Sequence, residues 1–202
     1  KLLCRIYDPV EGRILVNGID LRDVSTQEWW SYLGVMFQDY ASYDFLVKEA
    51  IAVGRPEKPL DLEKVKSSAE MSQSSSFIEE WAHKYNHQLG VEFNGAEPSK
   101  GQKQKLSIAK ILYREAYLMI LDEPTASVDA ESEARIFESL ESLSKNMTAI
   151  LISHDFSTIS ECDQIFVLEK GLLSEAGSHK ELMKKKGKYA ELYNLQAERF
   201  KK

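Results

Sequence analysis

The segment Leu118-Met119-Ile120-Leu121-Asp122-Glu123-Pro124 decides how the rest of the sequence is interpreted. The five residues from Tyr117 to Leu121 are apolar or aromatic without alternation, which is typical of a parallel strand buried on both faces. The run stops at two carboxylates and a proline. In an open α/β sheet, ligands bind beyond the carboxyl ends of the strands. The segment therefore predicts either a core strand with an acidic turn or a strand that presents Asp122 and Glu123 to a bound group.

The composition excludes several classes of protein. The chain has 202 residues, of which 43% are hydrophobic and 29% charged, and we expect one globular domain over residues 1–202. A formal net charge of -6 argues against a nucleic-acid partner, because binding to phosphates requires positive charge. No apolar run approaches the roughly 20 residues of a membrane span. Cys4 and Cys162 show no metal-binding spacing and indicate a reducing compartment.

Two other apolar segments also end in polar residues. Leu33 to Phe37 leads to Gln38, and Thr148 to Ile152 leads to Ser153 and His154. Parallel neighbours in a sheet bring their carboxyl ends to one edge. We therefore expect the side chains that follow the three strands to converge there. Hairpins are predicted at Asn17-Gly18 and around Gly171.

The middle of the chain has a different pattern. From Ala41 to Glu115 no strong strand signal occurs, and helical patterns cover Asp61–Met71 and Ser76–Tyr85. This stretch, residues 41–115, predicts an inserted α-helical subdomain. A further helix is expected from about Gln102 to Arg114, with Ser99 at the position of its N-cap. Asp129 can cap another helix after Pro124, and the spacing of Leu2, Leu3 and Ile6 predicts a helix at the start of the chain.

The polar residues at the three strand ends suit one kind of chemistry. An amide, two carboxylates and an imidazole favour magnesium-assisted attack of water on a phosphate. Asp122 and Gln38 would hold the Mg2+ ion, and Glu123 would align and deprotonate the water. His154 would donate a hydrogen bond to the phosphoryl oxygens. Each of these residues alone is more often structural, so the prediction depends on their joint placement.

The whole chain resembles the nucleotide-binding domain of an ATP-binding cassette (ABC) transporter. The opening segment resembles the Walker B strand with its catalytic glutamate, Gln38 the Q-loop, and His154 the switch histidine. Residues 126–129 resemble the D-loop, and residues 98–105 the signature segment. The resemblance implies an α/β fold of the P-loop NTPase type: a mostly parallel sheet with flanking helices, an inserted α-helical subdomain and a remnant antiparallel β subdomain. It also implies ATP and Mg2+ as cofactors.

The resemblance implies partners as well. In the family, the signature of one domain closes over ATP held by a second nucleotide-binding domain, in a homodimer or a heterodimer. The residues implied in nucleotide contact are Ser99, Lys100, Gly101, Gln102 and Asp129. Two motifs resemble the corresponding motifs of exporters, namely Tyr7-Asp8-Pro9 and Gly177-Ser178-His179. In exporters of this kind, a membrane-spanning domain precedes the nucleotide-binding domain on the same polypeptide. The expected location is the cytoplasmic face of the cell membrane.

The chain departs from the family pattern in two places. The phosphate-binding motif G-x-x-x-x-G-K-[ST] does not occur in it. We expect Lys1 to lie just after that loop, inside the helix that follows it, and the chain to be a fragment that binds ATP poorly by itself. In the signature, Pro98 replaces leucine and Lys100 replaces the first glycine, which would cost backbone freedom if the position needs a positive φ. These changes indicate either drift in a working homodimer or one weakened site in a heterodimer.

Alternatives to an exporter ATPase remain. A non-hydrolysing remnant, or partner-binding fragment, is favoured by the missing loop. An importer's separate ATPase subunit or a soluble translation-type cassette fits the carboxyl-terminal pattern less well. The aromatic residues Tyr40, Tyr43 and Phe45 predict either the core of the helical subdomain or an exposed docking cleft for the membrane-spanning domain.

Overall fold

The computed structural model describes residues 1–144 and 147–199 of the chain. Two compact units are present, of which the first is Lys1–Ile150 and the second begins at Leu151. The helices and strands of the described residues are β1 (Leu15–Val16), β2 (Ile19–Asp20), α1 (Thr26–Ser31), β3 (Leu33–Met36), α2 (Val47–Ala52), α3 (Leu62–Met71), α4 (Ser75–Ile78), α5 (Lys100–Arg114), β4 (Leu118–Asp122), α6 (Ala130–Ser144), β5 (Thr148–Ile152), α7 (Phe156–Ile159), β6 (Ile165–Glu169), β7 (Leu172–Gly177), α8 (His179–Lys185) and α9 (Lys188–Arg199).

The three strands that precede the predicted site residues form one sheet in the order β3-β4-β5. β3 and β4 are parallel, with Leu33 opposite Leu118 and Met36 opposite Leu121. The central residues of β4 are buried, as a strand covered on both faces requires. Because the two strands are parallel and in register, the residues that follow Met36 and Asp122 emerge at the same edge. The predicted α/β class with a parallel sheet is confirmed.

Two antiparallel pairs accompany the sheet. β1 and β2 pair through a two-residue turn in which Asn17 and Gly18 have φ of 51° and 83°. Positive φ at both central residues is the geometry that Asn-Gly favours in a hairpin. β6 and β7 form the second pair, with a bulge between Val167 and Leu168. Both predicted hairpins are confirmed.

The helices between β3 and β4 pack around α5. Their shared core contains Val47 and Ile51 of α2, Val65 of α3, and Tyr113 of α5, all buried. Burying such side chains contributes about 1.5–3 kcal/mol each relative to an exposed position. α5 begins at Lys100, two residues earlier than predicted, and Ser99 caps it as expected. That residues 41–115 form a subdomain of their own stays a prediction.

One predicted helix is absent from the structure, and another is shorter than predicted. Residues 1–7 form turns rather than a helix, and Arg5 is left-handed with φ of 51°. The indole nitrogens of Trp29 and Trp30 donate to the carbonyls of Leu3 and Cys4, both at 2.8 Å, so these carbonyls have partners outside a helix.

The pattern over Ser76–Tyr85 overestimates the length of a helix. α4 ends at Ile78, and a separate 3-10 turn covers Lys84–Asn86. Lys84 has φ of 47°, which an α-helix does not tolerate. None of the helices that the structure describes is long and apolar enough to cross a membrane.

Candidate functional site

The ends of β3 and β4 bring an amide and a carboxylate together. Gln38 follows β3, Asp122 is the last residue of β4, and Glu123 follows it. Gln38 Nε2 donates to Glu123 Oε2 at 3.3 Å, although the two residues are 85 positions apart. Asp122 and Glu123 are half-buried and Gln38 is exposed. Three of the four residues expected at this edge therefore lie where parallel pairing predicts.

The backbone at Glu123 has an unusual conformation. Its φ is 49°, in the left-handed region, which costs a non-glycine residue about 1–2 kcal/mol. Strain of this kind often occurs at functional sites, where surrounding contacts keep it in place. The following Pro124 is fully buried, and Thr125 Oγ1 donates to Glu133 Oε1 at 2.6 Å. These contacts fix the turn that carries the Glu123 side chain.

The start of α5 lies beside that turn. Ser99 Oγ accepts from the Gln102 amide at 3.3 Å, and Gln102 Oε1 accepts from the Ser99 amide at 2.9 Å, which is a reciprocal capping box. A Cβ at Gly101 would lie 2.6 Å from the carbonyl oxygen of Ser127, so only glycine permits this close approach. Tyr40 Oη donates to the carbonyl oxygen of Lys100 at 3.2 Å. The signature-like segment therefore contacts both the stretch after β3 and the turn after β4.

Lys100 does not need a left-handed backbone. It is the first residue of α5, and it is absent from the described residues with positive φ. The expected cost of replacing a glycine therefore does not arise at this position. Its side chain is exposed. The first turn of a helix leaves backbone N–H groups without helical partners, and these groups favour a negative charge nearby. The positive charge of the lysine side chain strengthens this preference.

Asp129 acts as the N-cap of α6. Its Oδ1 accepts from the Ser132 amide at 2.9 Å, and its Oδ2 lies 3.4 Å from Lys105 Nζ. Hydrogen bonds from Ser132, with the nearby Lys105 charge, lower the pKa of Asp129 to about 2. The capping role predicted for it is confirmed. The nucleotide contact implied by the resemblance stays a prediction.

His154 belongs to the second unit. It is exposed and lies between β5 and α7, next to Asp155, whose Oδ1 accepts from the Ser157 amide at 2.9 Å. This hydrogen bond caps α7 and fixes the backbone beside His154. The role of His154 in contacting a phosphate stays a prediction.

The donor atoms at the strand ends fit a magnesium ion. Asp122, Glu123 and Gln38 supply carboxylate and amide oxygens, the ligands that Mg2+ prefers. Within residues 1–144 and 147–199 no group of three or more His, Cys, Asp or Glu side chains forms a closed metal site. Mg2+ in nucleotide sites keeps waters and phosphate oxygens as ligands and takes only one or two from protein side chains. An open site with Asp122 and Gln38 as ligands matches this coordination preference.

The aromatic stretch after Gln38 is at the surface. Tyr43 and Phe45 stack with ring centroids 5.5 Å apart and are 38% and 44% exposed. Lys110 Nζ lies 4.9 Å from the Tyr43 ring and donates to the carbonyl oxygen of Ala41 at 3.0 Å. Burial of the Lys110 ammonium lowers its pKa. The alternative in which these two rings form the core of the helical stretch is therefore not supported.

Comparisons with known proteins identify the family of the chain. The sequence model of the family described as ABC transporter matches residues 1–126. The chain belongs to the ABC transporter family. It is 38% identical over 196 residues to a Staphylococcus aureus protein named as a multidrug export ATP-binding/permease protein, covering 97% of this chain and 33% of the relative. The similarly named YgaD of Bacillus subtilis is 35% identical over the same length.

A solved structure supports the same assignment. A bacterial Atm1-family ABC exporter with ATP bound matches with a TM-score of 0.90 and 32% identity, over 97% of this chain and 34% of that one. The chain thus spans about a third of the length of the curated relatives it matches. Over 97% of its length the chain is similar to exporter members of the ABC transporter family.

Sequence reasoning missed one residue of the site. Gln104 of α5 is 2% exposed and hydrogen-bonds the backbone of Glu123 and of Ser127. A signal was present, because Gln104 shares a helical face with Ile108 and Ile111, both buried. A glutamine among buried apolar residues needs hydrogen-bond partners.

Proposed function

We propose that this chain is the ATP-hydrolysing module of an ABC exporter, in which nucleotide binding drives two such modules together and powers transport across the membrane. The contact between Gln38 and Glu123 carries the proposal. It places an amide and a carboxylate at the carboxyl ends of adjacent parallel strands, where ligands of α/β sheets bind.

The residues divide the chemistry of hydrolysis among them. Asp122 and Gln38 hold Mg2+, which supplies charge stabilisation at the phosphates when it is bound. Glu123 accepts a proton from the attacking water, and Gln38 fixes the direction of its carboxylate. His154 donates a hydrogen bond to a phosphoryl oxygen. Ser99, Lys100, Gly101, Gln102 and Asp129 contact the nucleotide of the partner module.

The exporter relatives support a proposal about the partners of this chain. Those proteins are named as ATP-binding/permease proteins and are about three times as long as the matched region. We propose that a membrane-spanning domain of the same polypeptide docks against Tyr43 and Phe45, whose exposed rings offer an apolar contact. The module would then act at the cytoplasmic face of the membrane.

A second candidate function is a non-hydrolysing, partner-binding module. The exposed, stacked rings of Tyr43 and Phe45 favour it, since exposed aromatic side chains offer an apolar contact to a partner protein. The two candidates differ in one measurable property, which is the magnesium-dependent turnover of ATP.

The substitution Glu123→Gln in the full-length protein tests the proposal. It removes the base and retains the shape, so we expect ATP turnover to fall about 100-fold or more while ATP binding persists. Glu138→Gln is the matched control, because Glu138 is an exposed carboxylate on α6. Absence of ATP turnover by the unsubstituted protein would favour the second candidate, and equal turnover by all three proteins would refute the role of Glu123.

A further inference from the structure

Gln104 is a buried carboxamide whose two ends are both engaged with one turn. Its Nε2 donates to the carbonyl oxygen of Glu123 at 3.1 Å, and its Oε1 accepts from the Ser127 amide at 2.8 Å. The side chain is 2% exposed, so water does not compete for these bonds. A buried amide with both functions satisfied is a rigid link. It connects α5 to the backbone on either side of residues 124–126.

Backbone hydrogen bonds within the turn differ in length. The Ala126 amide lies at 3.5 Å from the Glu123 carbonyl, at the limit of a hydrogen bond, and the Val128 amide donates to Thr125 at 2.9 Å. Glu123 also holds a left-handed φ of 49°. Gln104 therefore supplies the shorter hydrogen bond to the carbonyl of a residue in an unfavourable conformation.

Other contacts of α5 bring Gln104 close to the turn. Gly101 lies one helical turn before Gln104, and a Cβ there would be 2.6 Å from the Ser127 carbonyl oxygen. At the other end of the helix, Arg114 donates to the carbonyls of Gly54 and Trp30, at 2.8 Å and 2.7 Å. These contacts near both ends of α5 fix the position of the helix relative to the turn.

We infer that Gln104 is a positioning residue for ATP hydrolysis, which orients the Glu123 carboxylate by holding the backbone of the turn. The inference rests on the proposed function, since it assigns Gln104 a role only through the base. Loss of the two hydrogen bonds lets the Glu123 backbone leave its left-handed conformation. The carboxylate then no longer lies within hydrogen-bond distance of Gln38.

Two substitutions in the full-length protein separate the hydrogen bonds from the shape. Gln104→Met keeps the length of the side chain and removes both bonds. Gln104→Glu keeps an acceptor for the Ser127 amide and removes the donor to Glu123. We expect both to lower kcat for ATP about tenfold or more, because small misplacements of a catalytic group have effects of this size. KM for ATP should change less than about threefold, since the turn contributes to the reaction rather than to ground-state binding.

Ile108→Val provides the control for general damage to α5. Ile108 is 1% exposed on the same helix one turn further on, and the substitution loosens packing without touching the turn. We expect it to lower the melting temperature and to leave kcat within about twofold of the unsubstituted value. If Gln104→Met and Ile108→Val reduce kcat alike at equal loss of melting temperature, Gln104 has only a structural role and the inference fails.

Hydrogen exchange gives a measurement that does not depend on turnover. Amides of residues 123–128 should exchange at least about tenfold faster in Gln104→Met than in the unsubstituted protein, and at an unchanged rate in Ile108→Val. Unchanged exchange in Gln104→Met overturns the inference, as does faster exchange with unchanged kcat. A protein without any ATP turnover would instead refute the proposed function, while the exchange rates would still report whether Gln104 holds the turn.

Discussion

The direction of the Glu123 side chain depends on its neighbours more than on its own strand. β4 ends at Asp122, and Glu123 then takes a left-handed φ that a glutamate does not favour. Gln38 contacts its carboxylate and Gln104 its carbonyl oxygen. The catalytic geometry that we propose is therefore a property of three segments that are distant in sequence.

The meeting of Gln38 and Glu123 could be predicted from the sequence, and the contact with Gln104 could not. Apolar runs that end in polar residues indicate parallel strands, and parallel strands share an edge. The distance between α5 and the turn depends instead on tertiary packing that no local pattern encodes. The position of Gln104 on the buried face of α5 indicates that it needs hydrogen-bond partners but does not identify them.

Lys100 provides a prediction at the scale of one residue. Because it starts α5 without a positive φ, glycine at this position relieves no strain. We expect Lys100→Gly in the full-length protein to change kcat for ATP by no more than about threefold, which corresponds to about 0.7 kcal/mol. Steady-state ATPase assays of the two proteins measure this. A gain of tenfold or more would show that the lysine weakens the site, as in a heterodimer with one impaired half.

At the scale of elements, α5 connects the helices between β3 and β4 to the sheet. Its C-terminal end is the left-handed Glu115, which forms ion pairs with Arg55 and with Lys64, the latter at 2.5 Å. A carboxylate at a helix C-terminus is unfavourable by itself because the carbonyl dipoles are also negative there. The two cations offset this cost and tie α3 and the segment after α2 to the end of α5.

The ion pairs of Glu115 predict a pH-dependent contribution to stability. Hydrogen bonding and attraction by Lys64, and then by Arg55, lower the pKa of Glu115. A lowered carboxyl pKa stabilises the fold above the pKa of the unfolded chain, and this contribution is lost as pH falls through the folded pKa. Glu115→Gln should therefore lower the free energy of unfolding at pH 7, by less than about 1 kcal/mol because the carboxylate is exposed and screened. The difference should shrink as pH falls below the ordinary pKa of a glutamate, about 4.3.

Urea unfolding of both proteins at several pH values measures this difference. Glu92→Gln is the control, because the Glu92 side chain forms no ion pair with the described residues. A destabilisation by Glu115→Gln that persists unchanged in acid would show that shape, rather than charge, matters at this junction. High salt at pH 7 should also reduce the effect.

Helix boundaries show what sequence patterns could and could not predict about the elements. Caps with a clear chemical signature were predicted correctly, as with Ser99 and Asp129. The expected helix at Leu2, Leu3 and Ile6 failed because indole groups from α1 bind the backbone there. The apolar spacing did not predict burial there either, because Leu2 and Ile6 are each 47% exposed.

At the scale of the whole molecule, each of the two units contains some of the residues that we propose for ATP hydrolysis. The first holds Gln38, Asp122, Glu123 and the start of α5, and the second holds His154. The parallel sheet and the two hairpins followed from the sequence because each has a local signature. The partner module has no such signature in the geometry of a single chain, so its identity needs an experiment.

Mixing two inactive variants tests whether each site is shared between two copies of the protein. Glu123→Gln removes the base of a chain's own site. Lys100→Glu places a negative charge at the exposed start of α5, where it should repel the phosphates of ATP held by the partner, with little effect on its own chain. In a head-to-tail homodimer, each variant alone leaves both sites impaired. A mixed dimer contains one site with an intact Glu123 from one copy and an intact Lys100 from the other.

Random mixing makes half of the dimers mixed, each with one working site of two, so about a quarter of the unsubstituted ATPase activity should return. Co-expression of differently tagged variants, followed by tandem purification, isolates the mixed dimer and should give about half of that activity. The control is each variant co-expressed with itself under the other tag. Activity of the mixed dimer no higher than that of either variant would show that Lys100 and Glu123 of different copies do not serve one site.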